Sequence, residues 1–486
     1  MGKGSDGDVL DVAIVGAGAA GTYLADRLAG ARPEWTMRLL ERSNRIGGRL
    51  WSMRVDDVDQ PIELGGMRYL PSHPIIHRVV TELGIATRAF DPRGGPERSF
   101  LRGRFGRGHP DPQAGAGYDL PAAERGRSAD DLIADAFERL VPGAHAMRGA
   151  DWEQMRATAA YLGRPITDWS LDEALATVLS PEGLQFLQDA FGYDTGFNVQ
   201  NTGDEVEFIL GGNDPSMDAP WVPIDGMDSI PRALAARFEG RGGRVELGRD
   251  VRRVAITDGI PTLELGDGST IRARHIALAI PIAALTALAA ESPVLVGPAW
   301  RRLFDSVTSV QATKLYCWYD RPWWRDGPDA QLGIRTTTDL SSRMVYYLDG
   351  APDEPAALLA SFTDNRRARR MIELAGGASD GEPAPEPLLD EVMRNLRSIH
   401  PHATIPEPAG SAFMHWGSSP RENAWAFWRP GHNSDQVMAL ALHPDPTLPI
   451  HICGETFSRA QAWAEGALAT AEELARRLLE RPAVIA

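Results

Sequence analysis

Val9-Leu-Asp-Val-Ala-Ile-Val15, followed directly by Gly16-Ala-Gly-Ala-Ala-Gly21, is the stretch on which the fold turns. The apolar run reads as a buried strand, the glycines as a tight turn, and the apolar-periodic residues up to Leu28 as a helix. A second strand, Met37-Arg-Leu-Leu-Glu41, ends in an acid twenty residues after Gly21. Strand, glycine turn, helix, strand and terminal acid together form the dinucleotide-binding arrangement. Gly16 permits the turn, Gly18 lets the backbone approach a pyrophosphate, and Gly21 lets helix and strand pack closely. Ala17, Ala19 and Ala20 complete the loop whose amides meet the anion at the helix N-terminus. Glu41 can accept the adenosine ribose hydroxyls and disfavours a 2′-phosphate. Next comes Glu41-Arg-Ser-Asn-Arg-Ile-Gly-Gly-Arg49. Here the Gly47–Gly48 pair lets the chain pass close to a ligand, Arg42 follows the acid, and Arg49 can grip a phosphate with two N–H groups.

The rest of the composition excludes more than it assigns. The chain has 486 residues, long enough for two interleaved domains, with 43% hydrophobic and 24% charged residues. A net charge of -16 argues against nucleic acid as a partner. No stretch approaches the ~18 apolar residues of a membrane span. Met1 to Asp8 is short and polar, so a cytoplasmic location is expected. Cys317 and Cys453 lie far apart and point to a reducing compartment. Eleven histidines are scattered with no metal-ligand spacing and no nucleophile motif. Lys3 and Lys314 are the only lysines among 50 basic residues. In a chain so biased to arginine, Lys314 is a candidate for a position that needs a primary amine.

Along the chain the pattern predicts an α/β protein: a Rossmann-type domain interleaved with a mixed-sheet substrate domain and a helical insertion. The nucleotide-binding segments fall at 8–70, 220–295 and 445–482. Residues 71–128 form part of the substrate domain with an excursion, dense in Gly, Pro and Arg over 91–128; helices occupy 129–208, and the rest of the substrate domain occupies 296–430. Ser128 and Ser170 each precede acidic residues, as helix N-caps do. Arg244–Val254, Pro261–Leu265, Ser269–Arg272 and His275–Ile280 read as strands, and Ala467–Leu479 as the last helix.

Glu41–Arg49 resembles the second characteristic block of the flavin amine oxidases, and five blocks in order resemble that family: the glycine fingerprint, Glu63–Ile85, Ile224–Ala235, Val245–Val254 and Ile452–Ala471. Within that family the chain is most similar to L-amino acid oxidases, through Leu64-Gly-Gly-Met-Arg68 and Thr336–Gly350. The resemblance implies FAD, held non-covalently because Arg421–Gly431 has no cysteine where monoamine oxidases attach theirs. It implies cofactor contacts at Gly65, Gly66, Met67, Val251, Gly454, Glu455 and Ala464. It also implies that Arg68 binds a substrate carboxylate, that Lys314 holds a water near the flavin, and that Trp463 walls the substrate cage. Tyr346 and Tyr347 point to opposite faces of a strand, so only one can reach the site; the resemblance selects Tyr347 as a second carboxylate ligand. Trp416, Trp425 and Trp428 are further candidates for the pocket, Trp428 foremost. Two residues depart from the family pattern: Ala462 stands where a glycine precedes the cage aromatic, and Cys453 where an alanine precedes Gly454.

The expected reaction is oxidative deamination of an L-amino acid, apolar or aromatic, by O2 to the 2-oxo acid, ammonia and hydrogen peroxide. Amino-acid 2-monooxygenation, oxidation of an amine without a carboxylate, and a non-catalytic flavin-binding role stay open. The partners expected are the small substrate, O2 and, by family habit, a second copy of the chain.

Overall fold

A computed structural model describes residues 9–56, 58–91, 94–108, 111–211, 219–326, 330, 333–348 and 353–480. The polar N-terminus Met1–Asp8 and positions 349–350 of the Thr336–Gly350 stretch lie outside the described residues. Fourteen strands build two seven-stranded sheets. In chain order they are β1 (Leu10–Val15), β2 (Met37–Leu40), β3 (Arg98–Leu101), β4 (Arg104–Gly106), β5 (Arg244–Glu246), β6 (Val251–Thr257), β7 (Ile260–Leu265), β8 (Thr270–Leu278), β9 (Ala312–Tyr319), β10 (Arg335–Thr338), β11 (Met344–Tyr347), β12 (Ala356–Asp364), β13 (Gly410–Trp416) and β14 (Ile450–Ile452).

The first sheet has the order β5-β2-β1-β8-β7-β6, with β14 also pairing β8. Strands β5, β2, β1, β8 and β14 run parallel. Their apolar runs are covered on both faces, as parallel strands require. The chain reaches this sheet in three separated segments, and buried charges tie them together. Asp26, on α1 (Ala19–Ala31), accepts from Arg237 at 2.8 and 2.7 Å and from Arg241 at 2.6 Å. On the same helix Tyr23 and Arg27 both donate to Glu472 of the C-terminal helix Ala464–Glu480. Glu465 of that helix accepts from the backbone amides of Ile75 and Ile76, capping the helix Pro74–Glu82 from outside.

The second sheet has the order β13-β9-β12-β11-β10-β3-β4 and is antiparallel except between β10 and β3. The helices between Ala129 and Leu210 pack around their own core, which includes Phe137, Trp152, Phe186 and Leu187. Ser128 caps the first of them through Asp131 N–H, and Ser170 forms a capping box with Glu173.

Three boundaries differ from the sequence reading. The excursion at 71–128 is not wholly irregular, since β3 and β4 form one edge of the second sheet. Arg244–Val254 divides into β5 and β6, because Gly248 takes φ +69 and turns the chain between them. Ser269–Arg272 and His275–Ile280 merge into the single strand β8, which pairs with β1 and β7 in turn.

Asp26 is the test of the three-segment assembly. Its side chain is 2% exposed between two guanidiniums. Asp26→Ala should lower unfolding stability by about 3 kcal/mol, read by urea denaturation.

Candidate active site

The two sheets and the helical insertion enclose one cavity of about 1070 Å³, lined from Gly16 at one end to Arg68 and Tyr193 at the other. That exceeds the ~300–1,000 Å³ of an ordinary ligand pocket, so a dinucleotide and a small substrate fit together.

The nucleotide half is a cradle built on glycine backbone. Helix α1 starts at Gly18, whose N-cap position has no side-chain cap, so its first amides face the cavity without protein partners from that residue. Gly18 bridges Gly47 across the loop, and a Cβ on Gly48 would lie 3.2 Å from Gly18 Cα. Gly16 has φ +103, and a Cβ there would lie 2.5 Å from the Ala279 carbonyl oxygen. Ala19, Ala20, Arg42, Gly48, Arg49 and Val251 line the cavity. Ala17 and Gly21 do not; they shape the turn from behind it. A Cβ on Gly21 would overlap the Gly16 carbonyl at 1.9 Å. Glu41 also lines the cavity, and its carboxylate accepts from Ala17 N–H at 2.9 Å and Ser43 N–H at 2.8 Å. Each of its oxygens keeps a lone pair for a ribose hydroxyl. An uncapped helix start, an empty glycine cradle and a terminal acid suit the pyrophosphate and ribose of FAD.

Arg49 and Glu455 meet each other at 2.7 Å. The other Glu455 oxygen accepts from Ala426 and Ala462 N–H. This ion pair joins the Gly47–Arg49 loop to the C-terminal signature, so both residues shape the cavity wall as well as lining it. Ala462 itself has φ +65, a left-handed conformation that favours glycine. The glycine of the family pattern is therefore a backbone requirement, which alanine meets here at a strain of ~1 kcal/mol. The Cys453 thiol is buried and pushed up to about 12 by desolvation, which leaves it unreactive.

At the other half, Glu63–Arg68 forms a strap pinned by its carbonyls. Lys314 on β9 is buried and donates to Glu63 O at 2.9 Å and Gly65 O at 2.5 Å. The Tyr316 hydroxyl donates to Glu63 O at 3.0 Å, and Trp416 Nε1 donates to Leu64 O at 2.8 Å. Desolvation pulls the Lys314 ammonium well below an ordinary lysine, Glu63 opposes the shift, and Arg68 adds to it. Burial likewise raises the Glu63 carboxyl, although Met227 N–H and the Ser52 hydroxyl donate to it. Glu63 and Tyr316 were not among the residues singled out from sequence. Glu63 lies in the Glu63–Ile85 stretch and Tyr316 two residues after Lys314, but neither belongs to a chemical pattern.

The strap delivers Gly65, Gly66, Met67 and Arg68 to the cavity. The Arg68 guanidinium lies 5.1 Å from the Phe90 ring centroid and 5.7 Å from that of Tyr346. Among the described residues no carboxylate pairs with it. Tyr193, Phe362 and Trp425 surround the same space, with ring centroids 5.6–6.5 Å apart. Arg335 is a second guanidinium on the wall, but Glu97 pairs with it at 2.5 Å. Phe90, Tyr193, Phe362 and Arg335 stand in four distant parts of the chain, and no motif marks them.

Two expected residues face elsewhere. The Tyr347 hydroxyl bonds His400 Nε2 at 2.7 Å, and its ring packs beside Trp324 in the core behind the sheet. Strand alternation turns the Tyr346 ring toward Arg68 instead, where it packs in the core beneath the cavity rather than lining it. Trp428 is also a correction: it packs against Phe457 in the core under the first sheet. In the strand Trp425–Trp428, Trp425 and Phe427 line the cavity, and the alternate residues Ala426 and Trp428 turn away. Trp416, Trp463, Gly454 and Ala464 line it as well, and Trp463 stacks edgewise on His73 at 5.0 Å.

The cradle makes a paired prediction. A Cβ on Gly18 would meet nothing closer than 3.8 Å in the protein. Gly18→Ala should therefore fold normally yet weaken FAD retention at least ~tenfold by obstructing the close backbone approach. Gly16→Ala, forced against Ala279 at a left-handed φ, should reduce thermal stability itself. Flavin fluorescence titration and thermal unfolding separate the two.

Comparison with known proteins agrees with this geometry. The family model for flavin containing amine oxidoreductases matches residues 19–479. Aplysianin-A of Aplysia kurodai is 27% identical, with 96% of this chain and 89% of that one aligned. Achacin of Lissachatina fulica is 26% identical over 96% and 92%. L-amino acid oxidase Bs29 of Bothriechis schlegelii is 27% identical over 69% of this chain and 65% of its own. Among solved structures, putrescine oxidase bound to putrescine superposes with a TM-score of 0.74 at 19% identity, covering 98% of this chain and all of that one, a likeness of fold. With its glycine cradle, pinned strap and a match over nearly its whole length, the chain belongs to the flavin-containing amine oxidoreductases and takes FAD as its cofactor.

Proposed function

We propose that this enzyme oxidises the α-amine of an L-amino acid with an apolar or aromatic side chain. With O2 and water, the products are the 2-oxo acid, ammonia and hydrogen peroxide. The observation that carries this reading is Arg68: a guanidinium at the cavity wall, beside Lys314, with no carboxylate partner among the described residues. A planar fork held against two aromatic rings suits a substrate carboxylate gripped by two hydrogen bonds. The relatives named as L-amino acid oxidases support the same substrate class.

FAD supplies a two-electron acceptor that O2 reoxidises. The protein's part is position and electrostatics. Arg68 fixes the carboxylate, and with it the orientation of the α-carbon. Trp463, Trp425, Phe362 and Tyr193 exclude water and narrow the approach of the amine. Arg335 is neutralised by Glu97, so the cavity wall offers rings rather than net charge to the side chain. Lys314 has three donors, of which two hold Glu63 and Gly65. The third is available to a water or to a developing anion.

Anaerobic mixing with common L-amino acids tests the reaction: bleaching of the flavin absorption is expected, and no bleaching by any of them sinks it. Keto acid with stoichiometric peroxide is the product expected; an amide product would assign monooxygenation instead. Arg68→Ala should raise KM for the amino acid at least ~100-fold, the loss of a bidentate charge-assisted contact. An unchanged KM would assign an amine without a carboxylate. Tyr346→Phe should disturb substrate binding. Tyr347→Phe should cost only ~1 kcal/mol of stability.

Lys314 adds a pH prediction. Its ammonium is depressed below the ordinary 10.5, so it loses its proton at lower pH than a free lysine. If the cation assists reoxidation, the rate with O2 is full below that depressed pKa and falls as pH rises through it. Lys314→Met should be slow at every pH in stopped-flow reoxidation and show no such fall.

A further inference from the structure

A second cavity, of about 320 Å³, opens between the β10–β11 turn and the segment Arg366–Glu373 and shares no lining residue with the active-site cavity. Five of its lining residues are arginines: Arg343, Arg366, Arg367, Arg369 and Arg370. Among the described residues, the only acids on its wall are Asp339 and Glu373. In a chain of net charge -16, such a concentration of guanidiniums runs against the average field.

The acids behind the wall are shared or held by other donors, and one lining arginine has none. Arg343 and Arg367 share one carboxylate oxygen of Asp189, at 3.3 and 3.4 Å. The other oxygen of Asp189 is taken by the Tyr118 hydroxyl and the Gln185 amide. Arg370 reaches Glu391 at 3.5 Å, but Arg394 holds that acid more closely, at 2.6 Å. The Ser341 hydroxyl donates to Glu391 as well. Arg366 pairs with Asp194 at 3.3 Å. Asp339 accepts from the Arg102 backbone amide. Arg369 is exposed and has no partner among the described residues.

One of the five is part of the framework. Arg343 is 1% exposed and spends its donors on the carbonyls of Gly192, Thr338 and Gln188. Those contacts and the Asp189 carboxylate engage its N–H groups, while burial and the nearby Arg367 oppose its charge. Its backbone stands at φ +57, and Asn365, just before the arginine run, at φ +46. Both are unusual for residues other than glycine. Arg343 therefore forms the buried floor of a concave site, and the more exposed forks of Arg366, Arg367, Arg369 and Arg370 form its rim.

We propose that this cavity binds a small multivalent oxyanion, inorganic phosphate or a phosphate ester. Planar guanidinium forks match tetrahedral oxyanions with paired, charge-assisted hydrogen bonds. A volume near 300 Å³ holds a phosphate with a short organic body and is too confined for a polymer. The site is separate from the FAD cradle and from Arg68, and it abuts the segment Asp194–Asn198 through Arg366. Thr195 of that segment lines the active-site cavity.

The test is calorimetric titration of the FAD-loaded enzyme at fixed ionic strength with inorganic phosphate, pyrophosphate and glycerol phosphate in turn. One site per chain is expected, retained in Arg68→Ala and weakened at least ~tenfold in the double variant Arg369→Gln, Arg370→Gln. Tightest binding of an inorganic anion would name free phosphate as the source, and tightest binding of the ester a phosphorylated metabolite. Absence of binding at millimolar anion, loss of the site in Arg68→Ala, or indifference to the Arg369/Arg370 exchange would overturn the proposal. Arg369→Lys with Arg370→Lys keeps the charge while removing the forks. It should bind more weakly than the native enzyme whether or not the glutamine variant folds.

Discussion

A lysine buried between two backbone carbonyls is the constraint around which the active-site cavity is organised. An ammonium in the interior needs its hydrogen bonds met, because leaving a buried donor unpaired costs ~1–3 kcal/mol or more for a charged group. Lys314 meets two of them on Glu63 O and Gly65 O, which holds the strap against β9. Tyr316 and Trp416 complete the attachment from β9 and β13. Gly65, Gly66, Met67 and Arg68 therefore stand where the second sheet puts them, although they follow the nucleotide-binding segment in the chain.

The same cavity keeps two cations in contrasting states. Arg335 has Glu97 against it, and its charge is closed within the wall. Arg68 has aromatic rings in place of an acid, so its charge faces the space that a substrate would enter. A low-dielectric, ring-lined site strengthens any carboxylate bond made there. The difference between these arginines rests on their neighbours rather than on residue type, and those neighbours come from the excursion, from β11 and from the helical insertion.

The cofactor half depends on long-range ties of another kind. Glu455 joins Arg49 across more than four hundred residues, and Asp26 joins α1 to Arg237 and Arg241. Residues near each end of the chain thus complete a single binding surface. Helix α1 and the C-terminal helix pack together through Tyr23, Arg27 and Glu472. Local propensity builds each helix, and a shared apolar core with these polar ties sets how the helices meet.

Some of this was determined by sequence alone. Gly16, Gly18, Gly21 and Glu41 specify the nucleotide turn because each role depends on backbone freedom or a single side chain within one short stretch. Lys314 stood out because the chain has almost no other lysine, and Arg68 because its neighbours Gly65, Gly66 and Met67 match a known pattern. Tertiary structure decided what depends on facing. The strand register set Tyr346 against Arg68 and Tyr347 against His400, and it buried Trp428 while presenting Trp425. It also assembled Phe90, Tyr193, Phe362 and Arg335 into one wall, and five arginines around a second cavity. Local pattern carries the conformation of a turn; only packing brings distant side chains to a common space and sets which of two adjacent strand residues reaches it.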